Sequence, residues 1–273
     1  ITVTASAPCA QNKTAIHTVT VNKSGALDTP TFTAGATSTR CQAGGTVAYT
    51  LSNGGAYTYA YTLDNTSLAG GNTSFGFENK ITWSDSWYGI STFKVKASSG
   101  CSSSPEATLT ITTNPVPAIP TASNLTITYD GQPHTGAASS TVPLIGGGSQ
   151  AANIVWYNAA TNGNVVSAPS GTNVGTYTAY AEAVAPTTGC ISTARTLVTV
   201  TLNQRPLTAN STISDKIYNG SAATGAVNLG DVSNLVSGES LDITPTAANF
   251  ADNDVADGKA TTISYALADG TGL

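Results

Sequence analysis

Hydrophobic and polar residues alternate with a period of two in short runs along this chain. Thr46-Val47-Ala48-Tyr49-Thr50-Leu51, Tyr57-Thr58-Tyr59-Ala60-Tyr61-Thr62-Leu63 and Gly175-Thr176-Tyr177-Thr178-Ala179-Tyr180-Ala181 each place apolar side chains on one face. That period belongs to half-buried β-strands. Between such runs stand Asn53-Gly54-Gly55, Gly70-Gly71-Asn72 and Asn162-Gly163-Asn164, which supply the positive φ that hairpins require. The rhythm predicts sandwiches of short strands.

The pattern then repeats over a much longer distance. Ile1-Thr2-Val3-Thr4-Ala5-Ser6 leads to Cys9 and on to Thr18-Val19-Thr20-Val21-Asn22; Phe93-Lys94-Val95-Lys96-Ala97-Ser98 leads to Cys101 and on to Thr110-Ile111-Thr112-Thr113-Asn114. A third copy runs from Tyr180-Ala181-Glu182-Ala183 through Cys190 to Asn203, and in all three Asn follows Cys by 13 positions. Cys9 and Cys101 are 92 apart, Cys101 and Cys190 are 89 apart. A second series marks the beginnings of repeats: Ile127-Thr128-Tyr129-Asp130-Gly131 before Thr135-Gly136-Ala137, and Ile217-Tyr218-Asn219-Gly220 before Thr224-Gly225-Ala226. Tyr129 and Tyr218, like Pro117 and Pro206, are again 89 apart. A period near 90 residues exceeds any solenoid repeat and fits a whole sandwich of about seven strands.

The joints between repeats fall at Asn22-Lys23-Ser24-Gly25, Asn114-Pro115-Val116-Pro117 and Asn203-Gln204-Arg205-Pro206, where proline removes a ladder donor and stiffens the link. The map is therefore residues 1–23, the last strands of an incomplete sandwich; 24–115 and 116–203, two whole sandwiches; and 204–273, a sandwich stopping about twenty residues short of the period. We expect a tandem array of immunoglobulin-like β-sandwich domains, all-β and rod-like, with domains cut at both ends.

Composition narrows the function classes. Of 273 residues 40% are hydrophobic and only 9% charged, with a net charge of −5, so no basic surface exists for phosphates or anionic lipid and nucleic acid is an unsuitable partner. Thr, Val, Ser, Ala and Gly dominate, disfavouring amphipathic helices. No apolar run approaches the ~20 residues of a spanning helix, so we expect no membrane insertion by this segment. There is no Met, and the chain opens at Ile1 inside a strand pattern, so we expect its native start elsewhere.

Particular motifs carry family resemblances. Thr37-Ser38-Thr39-Arg40-Cys41-Gln42-Ala43-Gly44-Gly45-Thr46-Val47, with Trp83 and Cys101, resembles the PKD-like and Ig-like repeats of giant Bacteroidota surface proteins. The next repeat, with Tyr129-Asp130-Gly131 and Asn173-Val174-Gly175-Thr176-Tyr177, resembles the MBG family, and the last, with Tyr218-Asn219-Gly220 and Phe250-Ala251-Asp252, is similar to the YDG family. The resemblances imply an extracellular, cell-surface adhesin, of a kind often exported by the type IX route. They speak to fold more than to function.

Candidate sites are few. Cys41 and Cys101 bracket the strands of one sandwich, as an inter-sheet disulfide does, and export permits oxidation. Cys9 holds the position of Cys101 in its own repeat, so we expect its partner in the missing part of that domain, and it stands here without one; Cys190 has no partner in residues 116–189 and is either a buried thiol or a bridge to another chain. No CxxC pair points to zinc. The loop Asp252-Asn253-Asp254-Val255-Ala256-Asp257-Gly258 clusters oxygen ligands as a calcium site does, through Asp252, Asp254 and Asp257, but it lacks the closing Glu of an EF-hand. Trp87 and Tyr88 are candidate sugar-stacking aromatics, while Trp83 reads as core. His17 and His134 fall in different repeats, and no triad is legible, so we expect no catalysis and no cofactor beyond that calcium candidate.

The expected role is a structural stalk or filament segment whose partners are neighbouring repeats or subunits. The alternative is a module binding surface glycans or proteins of a host or neighbouring cell. A polymer built by strand addition, in which N-terminal strands complete a neighbour's C-terminal sandwich, ranks below simple truncation, since an open edge aggregates.

Overall fold

The computed structural model describes residues 2–5, 13–16, 27–44, 47–51, 58–64, 80–83, 88–99 and 102–269. These residues form strands and turns and no helix, so the all-β class expected from the alternation is the one observed. Contacts divide the chain into two compact units, residues 1–119 with 140–153 and 183–193, and residues 120–139 with 154–182 and 194–273.

In the first unit the main sheet is built on the long strand Gly89–Ser99, with Thr58–Asp64 antiparallel on one side and Ala107–Asn114 antiparallel on the other. Thr37–Cys41 completes it, running parallel to Ala107–Asn114 with Cys41 opposite Asn114. The period of two decides what is buried: Ser91, Phe93, Val95 and Ala97 point inward from one strand, Ala107, Leu109, Ile111 and Thr113 from its neighbour, and the residues between them face out. Phe32 meets the Phe93 ring edge-on at 5.8 Å between centroids. Val47–Thr50 pairs antiparallel with Lys80–Trp83 as a separate ribbon. The unit also holds the hairpin of Thr141–Pro143 with Ser149–Ala151, and the turn that closes with a Val184–Ile191 bridge.

The second unit repeats the sheet. Leu125–Thr128 runs parallel to Thr196–Asn203 with Thr128 opposite Asn203, and Gly175–Val184, Asn153–Tyr157 and Val165–Val166 extend it. Ala179, Ala181, Val198, Val200 and Leu202 are buried. Gly136 lies against this layer so closely that a Cβ there would sit 2.8 Å from Val198 Cγ1 and 3.1 Å from Pro169 Cγ, which accounts for glycine in Thr135-Gly136-Ala137. At the sheet's edge Arg195 Nε donates to Glu182 Oε2 at 3.0 Å, its Nη1 donates to the carbonyls of Ala159 and Asn162, and the guanidinium stacks 3.3 Å from the centre of the Tyr157 ring. Beyond Asn203 come three strand pairs: Thr208–Ala209 with Val232–Ser233, Thr212–Ile213 with Val227–Asn228, and Leu241–Ala247 with Ile263–Asp269.

The first core sets an expectation. Phe93→Ala should cost about 3–5 kcal/mol of unfolding free energy, whereas Ile90→Ala, at a side chain 41% exposed on the same strand, should stay within about 0.5 kcal/mol. Urea denaturation followed by circular dichroism reads both.

Candidate functional site at the repeat joints

The repeat register brings two pairs of residues to equivalent places. Asn114 and Asn203 occupy the same position in their repeats, and opposite them stand Cys41 and Thr128. In each case the following residue turns back onto the same asparagine: the Gln42 amide donates to the Asn114 carbonyl at 2.8 Å and the Tyr129 amide to the Asn203 carbonyl at 2.9 Å. A strand end is thereby held beside the point where its repeat gives way to the next.

At the first of these ends Cys41 is bonded to Cys190, 149 positions away, with 5.7 Å between their Cα atoms. Val142, Ala185 and Cys190 are buried together there, with Cys41 and Val116 packed against them. The surrounding backbone is closed: the Ala185 amide donates to Cys190 O at 2.8 Å, Ala118 N to Thr141 O at 2.9 Å, and Val116 N to Gln42 Oε1 at 3.4 Å.

This corrects the pairing of Cys41 with Cys101 and the reading of Cys190 as unpaired or intermolecular. Cys101 lies outside the described residues, but its flanking residues Ser99 and Ser102 pair beside the Ala107 end of the strand Ala107–Asn114. Cys41 sits at the Asn114 end, about 24 Å away at 3.4 Å per residue. A disulfide needs its Cα atoms within about 7 Å. The 13-residue interval from Cys101 to Asn114 already contained that separation. Cys9 also lies outside the described residues.

The second joint is polar. The Tyr129 hydroxyl donates to the Glu239 carboxylate, and Arg205 Nε donates to Asn234 O at 2.5 Å while its Nη1 reaches Tyr129 O at 3.3 Å. Asn234 Nδ2 in turn donates to Pro206 O at 3.0 Å. Gly131, at φ 75°, lies under the turn: a Cβ there would come within 2.9 Å of Val236 Cγ1. Asp130 Oδ1 accepts from Gln132 N and from His134 Nε2, both at 2.9 Å, and the His134 contact first, then the backbone amide, holds its carboxyl below the ordinary range. The Tyr-Asp-Gly motif is thus a phenol that reaches the next repeat, a carboxylate that fixes the turn, and a glycine that lets the turn approach. The sequence marked these residues as a repeat signature and did not assign Tyr129, Glu239, Arg205 or Gln42 a role.

Other candidates lie apart. Asp252 Oδ1 accepts from Asp254 N at 2.9 Å and from Lys259 Nζ, which also donates to the Asp252 and Asp254 carbonyls at 3.1 and 2.8 Å. A lysine ammonium braces this loop. Asp252, Asp254 and Asp257 do not converge as a ligand group, and among the described residues no three acidic, histidine or cysteine side chains do. The Lys259 contact, ahead of the Asp254 amide, keeps the Asp252 carboxyl below its usual range. Trp87 and His17 fall outside the described residues, and Tyr88 is half-buried.

Comparison with known proteins finds the YDG domain family over residues 203–272. No curated protein matches the chain. Among solved structures, the insect immune protein hemolin is 16% identical over 74% of this chain, with a TM-score of 0.33, and the chain spans 55% of that protein's length. The titin I-band fragment I67–I69 is 10% identical over 80% of this chain and 78% of its own, at 0.32. Dpr2 Ig1–Ig2 in complex with DIP-Theta Ig1–Ig3 is 12% identical over 86% of this chain and 97% of its own, at 0.29. These likenesses concern tandem immunoglobulin-like folds alone.

Two expectations follow from the second joint and the braced loop. The Glu239 hydrogen bond, aided by desolvation and by the charges of Glu239 and Asp130, holds the Tyr129 phenol above its ordinary range. Its stabilising effect is whole below pH ~10 and is lost as pH rises through the raised folded value. Absorbance titration at 295 nm should show a late-ionising tyrosine component that Glu239→Gln removes. Millimolar calcium should leave the amide resonances of residues 252–258 unmoved, and shifts in that loop would reinstate the ion.

Proposed function

We propose that this chain is a non-catalytic, tension-bearing spacer of an extracellular, cell-surface adhesive protein, the segment that holds a binding end away from the surface to which the protein is attached. The observation that carries this reading is the clamped strand end. In two successive repeats the same strand end is fastened to the repeat that follows, by a disulfide at Cys41 and by hydrogen bonds at Tyr129, the residue after Thr128, which is the equivalent of Cys41. A chain of sandwiches used only as soluble binding modules has no need of fastenings at the two described joints. The sparse charge and the lack of a basic face fit an exposed surface protein that repels neither cell wall nor glycan strongly. The YDG match to the last repeat agrees with a repeat-built surface protein, and the partners in this reading are neighbouring repeats and proteins of the surroundings.

Pulling the whole chain from its two ends in a single-molecule force experiment tests the proposal. With the disulfide intact, residues between Cys41 and Cys190 cannot extend, so the unfolding trace should be short by about 500 Å of contour length at roughly 3.5 Å per residue. Reduction, or Cys190→Ser, should restore that length and lower the chain's thermodynamic stability by up to about 5 kcal/mol, the loop-closure term for so long a loop. A trace that is unchanged by reductant, or a non-reduced peptide map without the Cys41–Cys190 link, would remove the basis of the reading.

A further inference from the structure

The two sulfurs of the Cys41–Cys190 bond differ in access. Cys190 is 1% exposed and buried with Val142 and Ala185, whereas Cys41 packs against that cluster and is half-buried. The backbone around Cys190 is closed as well: its carbonyl accepts from Ala185 N at 2.8 Å and its amide donates to Thr188 Oγ1 at 3.5 Å. Cys41 instead ends Thr37–Cys41, the edge strand of its sheet. Connectivity places the same bond in the path of tension. A pull entering ahead of Thr37 runs along Thr37–Cys41, crosses to Cys190 and leaves through Thr196–Asn203, so residues 42–189 stay out of the path. Each of the two strands is then held at both ends by covalent bonds, and no interstrand hydrogen bond carries the load.

We infer that Cys41 is a tension-dependent thiolation site, at which a low-molecular-weight thiol forms a mixed disulfide and displaces Cys190. The attacking thiolate bonds to Cys41 Sγ, the Sγ–Sγ bond breaks with its electron pair going to Cys190, and that thiolate takes up the proton the incoming thiol gave to solvent. One disulfide replaces another, so no oxidant is consumed. Access selects the sulfur, because an attacker reaches the half-buried Cys41 and not the enclosed Cys190. Load then decides the fate of the product. In a slack chain the fold keeps Cys190 beside Cys41, and a thiolate released among Val142 and Ala185 is poorly solvated, so it attacks Cys41 Sγ and expels the external thiol. In a loaded chain residues 42–189 take up the tension, the two cysteines are drawn apart, and the modification persists. The inference rests on the spacer reading and adds to it which sulfur reacts and what tension does to the product.

Two measurements on the unmodified full chain test it, with reduced glutathione as the probe. In the first, the folded chain and the urea-unfolded chain are incubated with glutathione, quenched with acid and mapped as peptides. The folded chain should carry its adduct on Cys41 in preference to Cys190 by about tenfold or more, and in small amount, while the unfolded chain, whose sulfurs are equally reachable, should carry it on both and in abundance. In the second, the chain is held from its two ends at a constant force that unfolds the sandwiches. Glutathione should release about 500 Å of contour length at roughly 3.5 Å per residue, at a rate proportional to its concentration, and relaxation in thiol-free buffer should restore the short trace as Cys190 expels the adduct. Adducts shared equally by the two cysteines of the folded chain, or concentrated on Cys190, overturn the site. Adducts as abundant in the folded chain as in the unfolded one, or a release rate independent of glutathione, overturn the dependence on load. Each of these leaves the spacer reading standing, whereas an untreated chain without the Cys41–Cys190 link removes the basis of both.

Discussion

Parallel pairing between an early strand of a sandwich and its last strand sets where the repeats of this chain are fastened. An antiparallel partner would bring the strand's beginning to the place where the repeat ends. The parallel register brings its end there, Cys41 opposite Asn114 and Thr128 opposite Asn203. The next residue then folds back onto the asparagine carbonyl, and from this strand end Cys41 reaches Cys190 and Tyr129 reaches Glu239. The hairpin that carries Cys190 sits at the other end of the last strand of its own repeat. At the first joint, a hairpin of one repeat and a strand end of the previous one are the two halves.

Different chemistry fastens the strand end at the two joints. A disulfide acts chiefly by restricting the unfolded chain and so gains from the long interval it closes. The Tyr129–Glu239 contact is a partly exposed, charge-assisted hydrogen bond that depends on its neighbours, Arg205 tying two carbonyls together and Gly131 yielding space. One fastening is a covalent bond sensitive to reductant, the other a contact sensitive to alkali. Neither requires a large buried interface, which suits domains whose cores are small and separate.

The sequence made the repeat and the class legible because both are written in periods. Alternation of two placed Phe93, Val95, Leu109 and Ile111 inside, and the Cys-to-Asn interval of 13 fixed the register of three segments. The joint was harder to read. Pairing Cys41 with Cys101 followed from counting cysteines within a repeat, yet a cysteine at a strand end finds its partner by position in space, and that position depends on which strands run parallel. Asp252, Asp254 and Asp257 resembled calcium ligands in one dimension, whereas Lys259, a few residues on, reaches back to hold the loop with its own charge. The aromatic and charged members of the second joint are 110 positions apart in the case of Tyr129 and Glu239, with no local pattern to link them.

The interval between Cys41 and Cys190 also orders events in time. Chains are made from the N-terminus, and domains form as they emerge. Cys41 is synthesised well before Cys190, and in between comes Cys101, within the same repeat as Cys41. A thiolate attacks whichever sulfur it can reach, so early oxidation favours the nearer partner and the wrong bond. Once folded, the sandwich of residues 24–115 protects against this, since its completed sheet carries Cys41 to one end and the hairpin residues flanking Cys101 to the other. Correct cross-linking of the array therefore depends on tertiary folding outpacing oxidation, and a slow-folding variant of the first sandwich would be recognised by its scrambled disulfides before any loss of stability in the finished protein.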